Sequence, residues 1–144
     1  MEIISKSSIE TQEIAKNIAQ EILSKKRPNV VLLEGELGGG KTTFSQGLIA
    51  SMGVKQPITS PTFVIMKSYP IPSSEYKVYH FDLYRLNQEW ELLELGIIDI
   101  IQKSNNILLV EWANKTPNLW KSVPHTNITF EVINSSERII TINP

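Results

Sequence analysis

Ile14, Ile18 and Ile22 recur at four-residue steps with Ala15 and Ala19 beside them, a stripe that predicts an amphipathic helix. Ser7 followed three residues on by Glu10 gives that helix a capping-box start, and its end is expected between Lys25 and Pro28. Asn29-Val30-Val31-Leu32-Leu33-Glu34 then runs apolar without alternation, the pattern of a strand buried on both faces of a parallel sheet. After a glycine-rich turn, Phe44, Leu48 and Met52 mark the buried face of a second helix from Lys41 to about Met52, which Gly53 is placed to stop. Thr62 to Tyr69 and Lys77 to Leu83 read as strands. The prolines of Pro70-Ile71-Pro72-Ser73-Ser74 forbid a ladder between them, so an antiparallel pair is expected to edge the sheet or project from it. Glu89 to Leu95 predicts a short helix closed by Gly96. Ile107-Leu108-Leu109-Val110 is a second buried strand, running straight into Glu111-Trp112. Asn127 to Ile133 and Arg138 to Asn143 alternate in polarity around Asn134-Ser135-Ser136-Glu137, as a C-terminal hairpin would.

Composition narrows the picture mostly by exclusion. With 144 residues, 41% hydrophobic and 20% charged, the chain can bury a continuous core without staples. It has no cysteine, so disulfides and thiolate metal sites are ruled out, and His80 and His125 are its only imidazoles. Met1-Glu2-Ile3-Ile4-Ser5-Lys6 lacks the basic and apolar regions of an export signal. The longest apolar runs fall far short of the ~20 residues that cross a bilayer. A soluble, cytoplasmic protein without membrane contact is therefore expected. The net charge of −1, with no cluster of Lys and Arg among aromatics, gives no footprint for holding nucleic acid alone. Any RNA would be gripped through a partner.

Between the first buried strand and the second helix, Gly35-Glu36-Leu37-Gly38-Gly39-Gly40-Lys41-Thr42 matches G-x-x-x-x-G-K-[ST] in full. The glycines let backbone N–H groups point inward at phosphate oxygens, and the helix start at Lys41 adds the positive end of its dipole. Lys41, read as an exposed loop lysine, is expected to reach the β- and γ-phosphates of ATP, and Thr42 to ligate Mg2+ through its hydroxyl. A turn serving only to join strand to helix would explain the glycines but not Lys41 and Thr42. The order of elements then predicts an α/β fold: a single P-loop NTPase domain over residues 1–144, its mostly parallel central sheet flanked by helices, with antiparallel edge strands and the C-terminal hairpin.

Such a loop needs a carboxylate at the end of a neighbouring buried strand, and Glu111 ends the other long aliphatic strand. Trp112 either lines the nucleotide site or caps the core. Ser60-Pro61-Thr62 lies where many such proteins place a loop that senses the γ-phosphate, although a proline-set turn entering a strand would also account for it. Asp82 either orients the attacking water or a metal-bound water, or pairs with Arg85 for local order. His80 and Asp82 share a face by strand alternation, so a hydrogen bond between them is open as well. Asn114-Lys115-Thr116-Pro117 begins like a guanine-specificity element, but proline in the fourth position cannot accept the bonds an aspartate would take. ATP is favoured over GTP.

Gly35 to Thr43, Ser60-Pro61-Thr62-Phe63, His80-Phe81-Asp82-Leu83-Tyr84-Arg85-Leu86, Leu95-Gly96-Ile97 and Val110-Glu111-Trp112 resemble, in order and spacing, the blocks of the TsaE family of bacterial ATPases in tRNA threonylcarbamoyladenosine biosynthesis. The resemblance covers almost the whole chain. It implies ATP hydrolysis supporting modification of adenosine 37, next to the anticodon of ANN-reading tRNAs, in complex with TsaB and TsaD. It also implies magnesium on Thr42 and Glu111, catalytic work for Lys41, Asp82 and Glu111, and nucleotide contacts along Leu37, Gly38, Gly39, Gly40, Lys41, Thr42 and Thr43, with Ser60, Thr62 and Trp112 alongside. Thr11 would border the adenine by the same analogy. Two positions depart from the family pattern. Trp90 stands where an acidic helix residue is usual, and Gly39 replaces a commoner alanine, which would loosen the loop slightly. Two other readings share the phosphate loop: a small-metabolite kinase, against which the scattered Arg27, Arg85 and Arg138 speak, and a non-catalytic nucleotide-dependent interaction module.

Overall fold

The isoleucine stripe becomes a 16-residue helix, α1 (Ser8–Leu23), in the computed structural model, which describes residues 1–36 and 38–144. The Ser7 side chain accepts from the Glu10 amide at 3.1 Å, while the Glu10 carboxylate reaches back to the Lys6 amide at 2.7 Å. A short strand, β1 (Glu2–Ser5), precedes α1. Next come β2 (Val30–Gly35), α2 (Lys41–Ser51), β3 (Met66–Pro70), β4 (Lys77–Asp82), α3 (Glu89–Glu94), α4 (Ile97–Gln102) and β5 (Asn106–Glu111). A 3-10 turn (Ala113–Lys115), α5 (Pro117–Trp120), β6 (Thr126–Val132) and β7 (Arg138–Asn143) complete the order.

The seven strands of the described residues form one sheet in the order β1-β7-β6-β2-β5-β4-β3. Pairing is parallel through β6-β2-β5-β4 and antiparallel at β1-β7, β6-β7 and β3-β4. The parallel centre with antiparallel edges is the α/β arrangement that the sequence predicts. Successive residues of the buried strands alternate between two cores. Val31, Leu33, Ile107 and Leu109 join α1 and α2 on one face, where Phe44, Leu48 and Ile49 also sit. Val30, Leu32, Leu108 and Val110 join Leu92, Ile97 and Trp120, from α3, α4 and α5, on the other. A strand buried on both faces has no polar position to spare, which is why these runs are uninterrupted.

Four differences from the sequence expectation have local causes. The expected strand from Thr62 begins only at Met66, because the Val64 and Ile65 amides both bond the Pro61 carbonyl (3.1 and 2.7 Å) and Ile65 is left-handed at φ 69°. Pro70 closes β3 rather than opening the loop, an end position on an edge strand where its missing N–H costs no ladder bond. Gly96 does stop α3, yet at φ 82° it also starts α4, which periodicity did not reveal in so short a segment. β1 carries no pattern of its own and is a strand through pairing with β7 alone.

Phe44 is fully buried on α2 and meets Phe130 of β6 edge-on, with ring centroids 5.5 Å apart. Phe44→Ala is expected to destabilise the fold by ~3–5 kcal/mol through lost burial and a residual cavity. Urea unfolding would show this as a lower midpoint at an unchanged slope.

Candidate nucleotide-binding site

The loop between β2 and α2 is held from both sides. Gly35 pairs with Phe130 so closely that a Cβ there would lie 2.8 Å from the Phe130 carbonyl oxygen. At the other end Gly40 is left-handed at φ 103° and caps α2, with the Phe44 amide bonded to its carbonyl at 2.9 Å. Between them the Gly39 amide donates to the Glu36 carbonyl at 3.0 Å. A Cβ on Gly39 would come within 2.9 Å of that same oxygen, so glycine here closes the turn tightly instead of loosening it. Leu37 lies outside the described residues.

Lys41 is the first residue of α2 and is buried, at 4% exposure, rather than the exposed loop lysine expected from sequence. Its ammonium donates to the Gly35 carbonyl at 2.5 Å and sits 4.0 Å above the Trp112 ring. Burial lowers its pKa, and the negative charges of Glu111 and Asp82 oppose that shift. Trp112 is left-handed at φ 60°, a turn that brings its ring over the lysine and 5.1 Å from the Tyr84 ring. It therefore forms a wall of the cleft while its other side packs on the core beneath α3 and α5.

The two carboxylates lie side by side at the C-terminal ends of parallel strands, because the register pairs Asp82 of β4 with Glu111 of β5. Alternation turns both toward the face covered by α2. Glu111 accepts from His80 Nε2 at 2.7 Å, and both residues are buried. Asp82 Oδ2 accepts from the Thr62 hydroxyl at 2.9 Å, Ser60 and Thr62 hydroxyls lie 2.6 Å apart, and the Tyr84 amide donates to Asp82 Oδ1 at 3.0 Å. Asp82 thus fastens the Ser60–Thr62 turn to the strand. Neither alternative pairing of Asp82 occurs among the described residues: His80 takes Glu111 instead, and Arg85 places its guanidinium 4.5 Å over the Phe63 ring.

One cleft accordingly gathers Gly38, Gly40, Lys41, Thr42, Thr43, Ser60, Thr62, Asp82, Glu111 and Trp112. A second cleft adjoins it through Gly40 and Thr43 and extends to Ser7, Ser8 and Thr11. Thr11 borders that second cleft, but its hydroxyl is engaged with Ser5 at 2.7 Å. Asn114 is exposed, and Thr116 accepts from the Trp120 indole at 3.1 Å, so the Asn114–Pro117 segment is a structural turn. Sequence reasoning gave one participant the wrong partner and missed another. His80 carried a signal only as the neighbour of Asp82. Arg138, which lines both clefts and donates to the Gly38 carbonyl at 3.2 Å, comes from the far end of the chain and carried none.

Among the described residues no three His, Cys, Asp or Glu side chains gather to hold an ion. Magnesium is a hard cation that commonly takes one or two protein oxygens and completes its shell with water and phosphate. The oxygen donors Thr42 and Glu111 in one cleft fit that demand, with Glu111 Oε1 left without a partner among the described residues.

No helix among the described residues is long and apolar enough to cross a membrane. A family model described as threonylcarbamoyl adenosine biosynthesis protein TsaE matches residues 5–140. A tRNA threonylcarbamoyladenosine biosynthesis protein TsaE from Rickettsia felis is 34% identical over 142 residues, covering 97% of this chain and 78% of that protein. The TsaE of Bacillus subtilis is 39% identical over 105 residues, 73% of this chain and 61% of its own length. The crystal structure of Bacillus subtilis YdiB superposes with a TM-score of 0.72 at 28% identity, covering 99% of this chain and 83% of that one. By the matched family model and these relatives, the chain belongs to the TsaE family of tRNA threonylcarbamoyladenosine biosynthesis proteins.

Proposed function

We propose that this protein is a magnesium-dependent ATP-binding and ATP-hydrolysing subunit that supports threonylcarbamoyl modification of adenosine 37 in ANN-reading tRNAs, acting with TsaB and TsaD in the cytoplasm. The observation that carries it is the convergence of Lys41, Thr42, Asp82 and Glu111 on one cleft around the glycine loop. Backbone N–H groups at the start of α2 and the buried Lys41 ammonium offer charge and donors to a phosphate chain. Bound Mg2+ would offset phosphate charge and fix the β- and γ-oxygens. Thr42 and Glu111 would hold it, Glu111 being steadied by His80. In this reading Asp82 would accept a hydrogen bond from a water near the γ-phosphate, and its bond to Thr62 supports the reading by tying Asp82 to the Ser60–Thr62 turn.

The exposed side chains of Phe63, Val64 and Tyr84 flank this turn, an apolar rim fit for docking partner proteins. Contact with tRNA would be indirect, through those partners, in keeping with the net charge of −1.

Thr42→Ala and Glu111→Gln are each expected to weaken Mg2+-dependent ATP binding or turnover, and the double variant to lose less than the sum, because both serve one ion. Titration of Mg2+ against each variant at fixed ATP measures this. Full additivity would place Glu111 elsewhere.

A further inference from the structure

β1 is an edge strand: β7 pairs with one side of it, and no strand among the described residues pairs with the other. The Ile142 amide donates to the Met1 carbonyl at 2.9 Å, and the Met1 amine to the Ile142 carbonyl at 3.0 Å. Mutually bonded pairs alternate along an antiparallel ladder. Ile3 and Ser5 therefore also turn their backbone groups to β7, while Glu2 and Ile4 turn theirs to the open side. The same stretch bares large apolar side chains, with Met1 and Ile9 each 72% exposed and Ile4 54% exposed. Glu2 and Lys6, both exposed, flank Ile4 at equal spacing and carry opposite charges. Charges on a short edge strand commonly keep other strands away. A glutamate and a lysine placed symmetrically about an isoleucine, however, are complementary to the same sequence running the other way.

We propose that the open side of β1 pairs with β1 of a second copy of this chain, antiparallel, about a two-fold axis through Ile4. In that register Ile4 lies opposite its own copy, and Glu2 of each chain lies opposite Lys6 of the other. The outward amide and carbonyl of Ile4 meet their counterparts, and the Glu2 amide meets the Lys6 carbonyl. The Lys6 amide is already committed to the Glu10 carboxylate at 2.7 Å and is not needed. Ile3 packs toward the core beneath α1, so Glu2 and Ile4 lie on the opposite face, and Lys6 is the next position of the same parity. Two ion pairs there bracket the covered Ile4 side chains. On the α1 side, Met1 of one copy comes alongside the Ser7–Ile9 start of α1 in the other. Sliding the copies so that Glu2 meets Ile4 would keep backbone bonds but leave Lys6 without its opposite charge, so charge selects the register. The contact is short, which places the pairing among weak, concentration-dependent interfaces.

Sedimentation velocity of the full chain from about ten micromolar to about one millimolar, at low and high KCl, tests this. The expected result is a shift from the 16.3 kDa monomer toward twice that mass as concentration rises, weakened by KCl because exposed ion pairs are screened. Glu2→Lys alone and Lys6→Glu alone each set like charges opposite one another at both symmetric contacts, and each should weaken the dimer by about tenfold or more. Mixed together, the two variants should pair again, because the chain basic at both positions then faces the chain acidic at both. That recovery also shows that each variant is folded, since only an intact β1 edge can pair. A wild type that stays monomeric throughout, a dimer indifferent to both charge reversals, or variants that do not pair on mixing would overturn the proposal.

Discussion

Lys41→Ala should cut ATP affinity by at least about a hundredfold while the protein still folds. In the proposed nucleotide complex the ammonium would make several charge-assisted hydrogen bonds to phosphate oxygens, each contributing roughly 1.5–3 kcal/mol, and about 1.4 kcal/mol corresponds to tenfold in affinity. Its burial sharpens the expectation, because a cation already stripped of most of its water on the Trp112 ring has little hydration left to lose on meeting phosphate. The same burial means that the substitution is not silent for the fold. It removes the bond to the Gly35 carbonyl and the cation lying near Asp82 and Glu111, while alanine remains a good helix-starting residue. A modest fall in the thermal midpoint with an unchanged circular dichroism spectrum is expected, alongside calorimetric traces flat at ATP concentrations that saturate the wild type. Unaltered affinity would refute the phosphate-loop assignment.

ATP turnover by the isolated protein should be slow and should rise by ~10³ to 10⁵ when the proposed partners TsaB and TsaD are added. Transfer of a phosphoryl group to water commonly needs an extra positive charge beside the γ-phosphate, and among the described residues neither arginine near the cleft is free to supply one in the proposed complex. Arg85 is drawn aside over Phe63, and Arg138 is engaged with the carbonyls of Gly38, Asn134 and Glu137. Asp82 and Thr62 form one hydrogen-bonded unit beside the apolar rim of Phe63 and Val64, so a protein docking on that rim would meet the turn that Asp82 holds. ATPase rate measured against added partner complex gives the readout, with Asp82→Ala as the control expected to remain slow at every partner concentration. A fast isolated enzyme indifferent to both partners would sink the proposed division of labour.

Much of this was legible in the sequence because the buried elements obey strict local rules. The runs at Val30 to Leu33 and Ile107 to Val110 had to be central strands, since both faces of each are covered, and the glycine loop between β2 and α2 announced itself by residue type and spacing. What stayed hidden depends on contacts between distant segments. The pairing of His80 with Glu111 needs the β4–β5 register, in which His80 sits opposite Leu109 and Asp82 opposite Glu111. Arg138 reaches Gly38 across a separation of 100 residues, and no window on the chain contains both. Lys41 looked exposed because a phosphate-loop lysine is read with its ligand in mind. Here its apolar neighbour is Trp112, contributed by the turn that follows β5. The premature strand at Thr62 failed for a different reason: β-branched and aromatic residues favour extended backbone, but two amides converging on one carbonyl overrode that preference.

The sheet order also sets a timetable. β2 leads into the glycine-rich loop, yet its two neighbours, β5 and β6, begin only at Asn106 and Thr126. Until Thr126 has emerged, the nascent β2 is an open, aliphatic edge with nothing to pair on one side, and Gly35 lacks the Phe130 backbone that holds the loop. The central hydrogen bonds are therefore of long sequence separation, and the loop can be held in this shape only once the segment from Thr126 to Phe130 has been made. A fragment cut before Thr126 would keep the whole glycine motif and still present it on an unzipped, aggregation-prone strand.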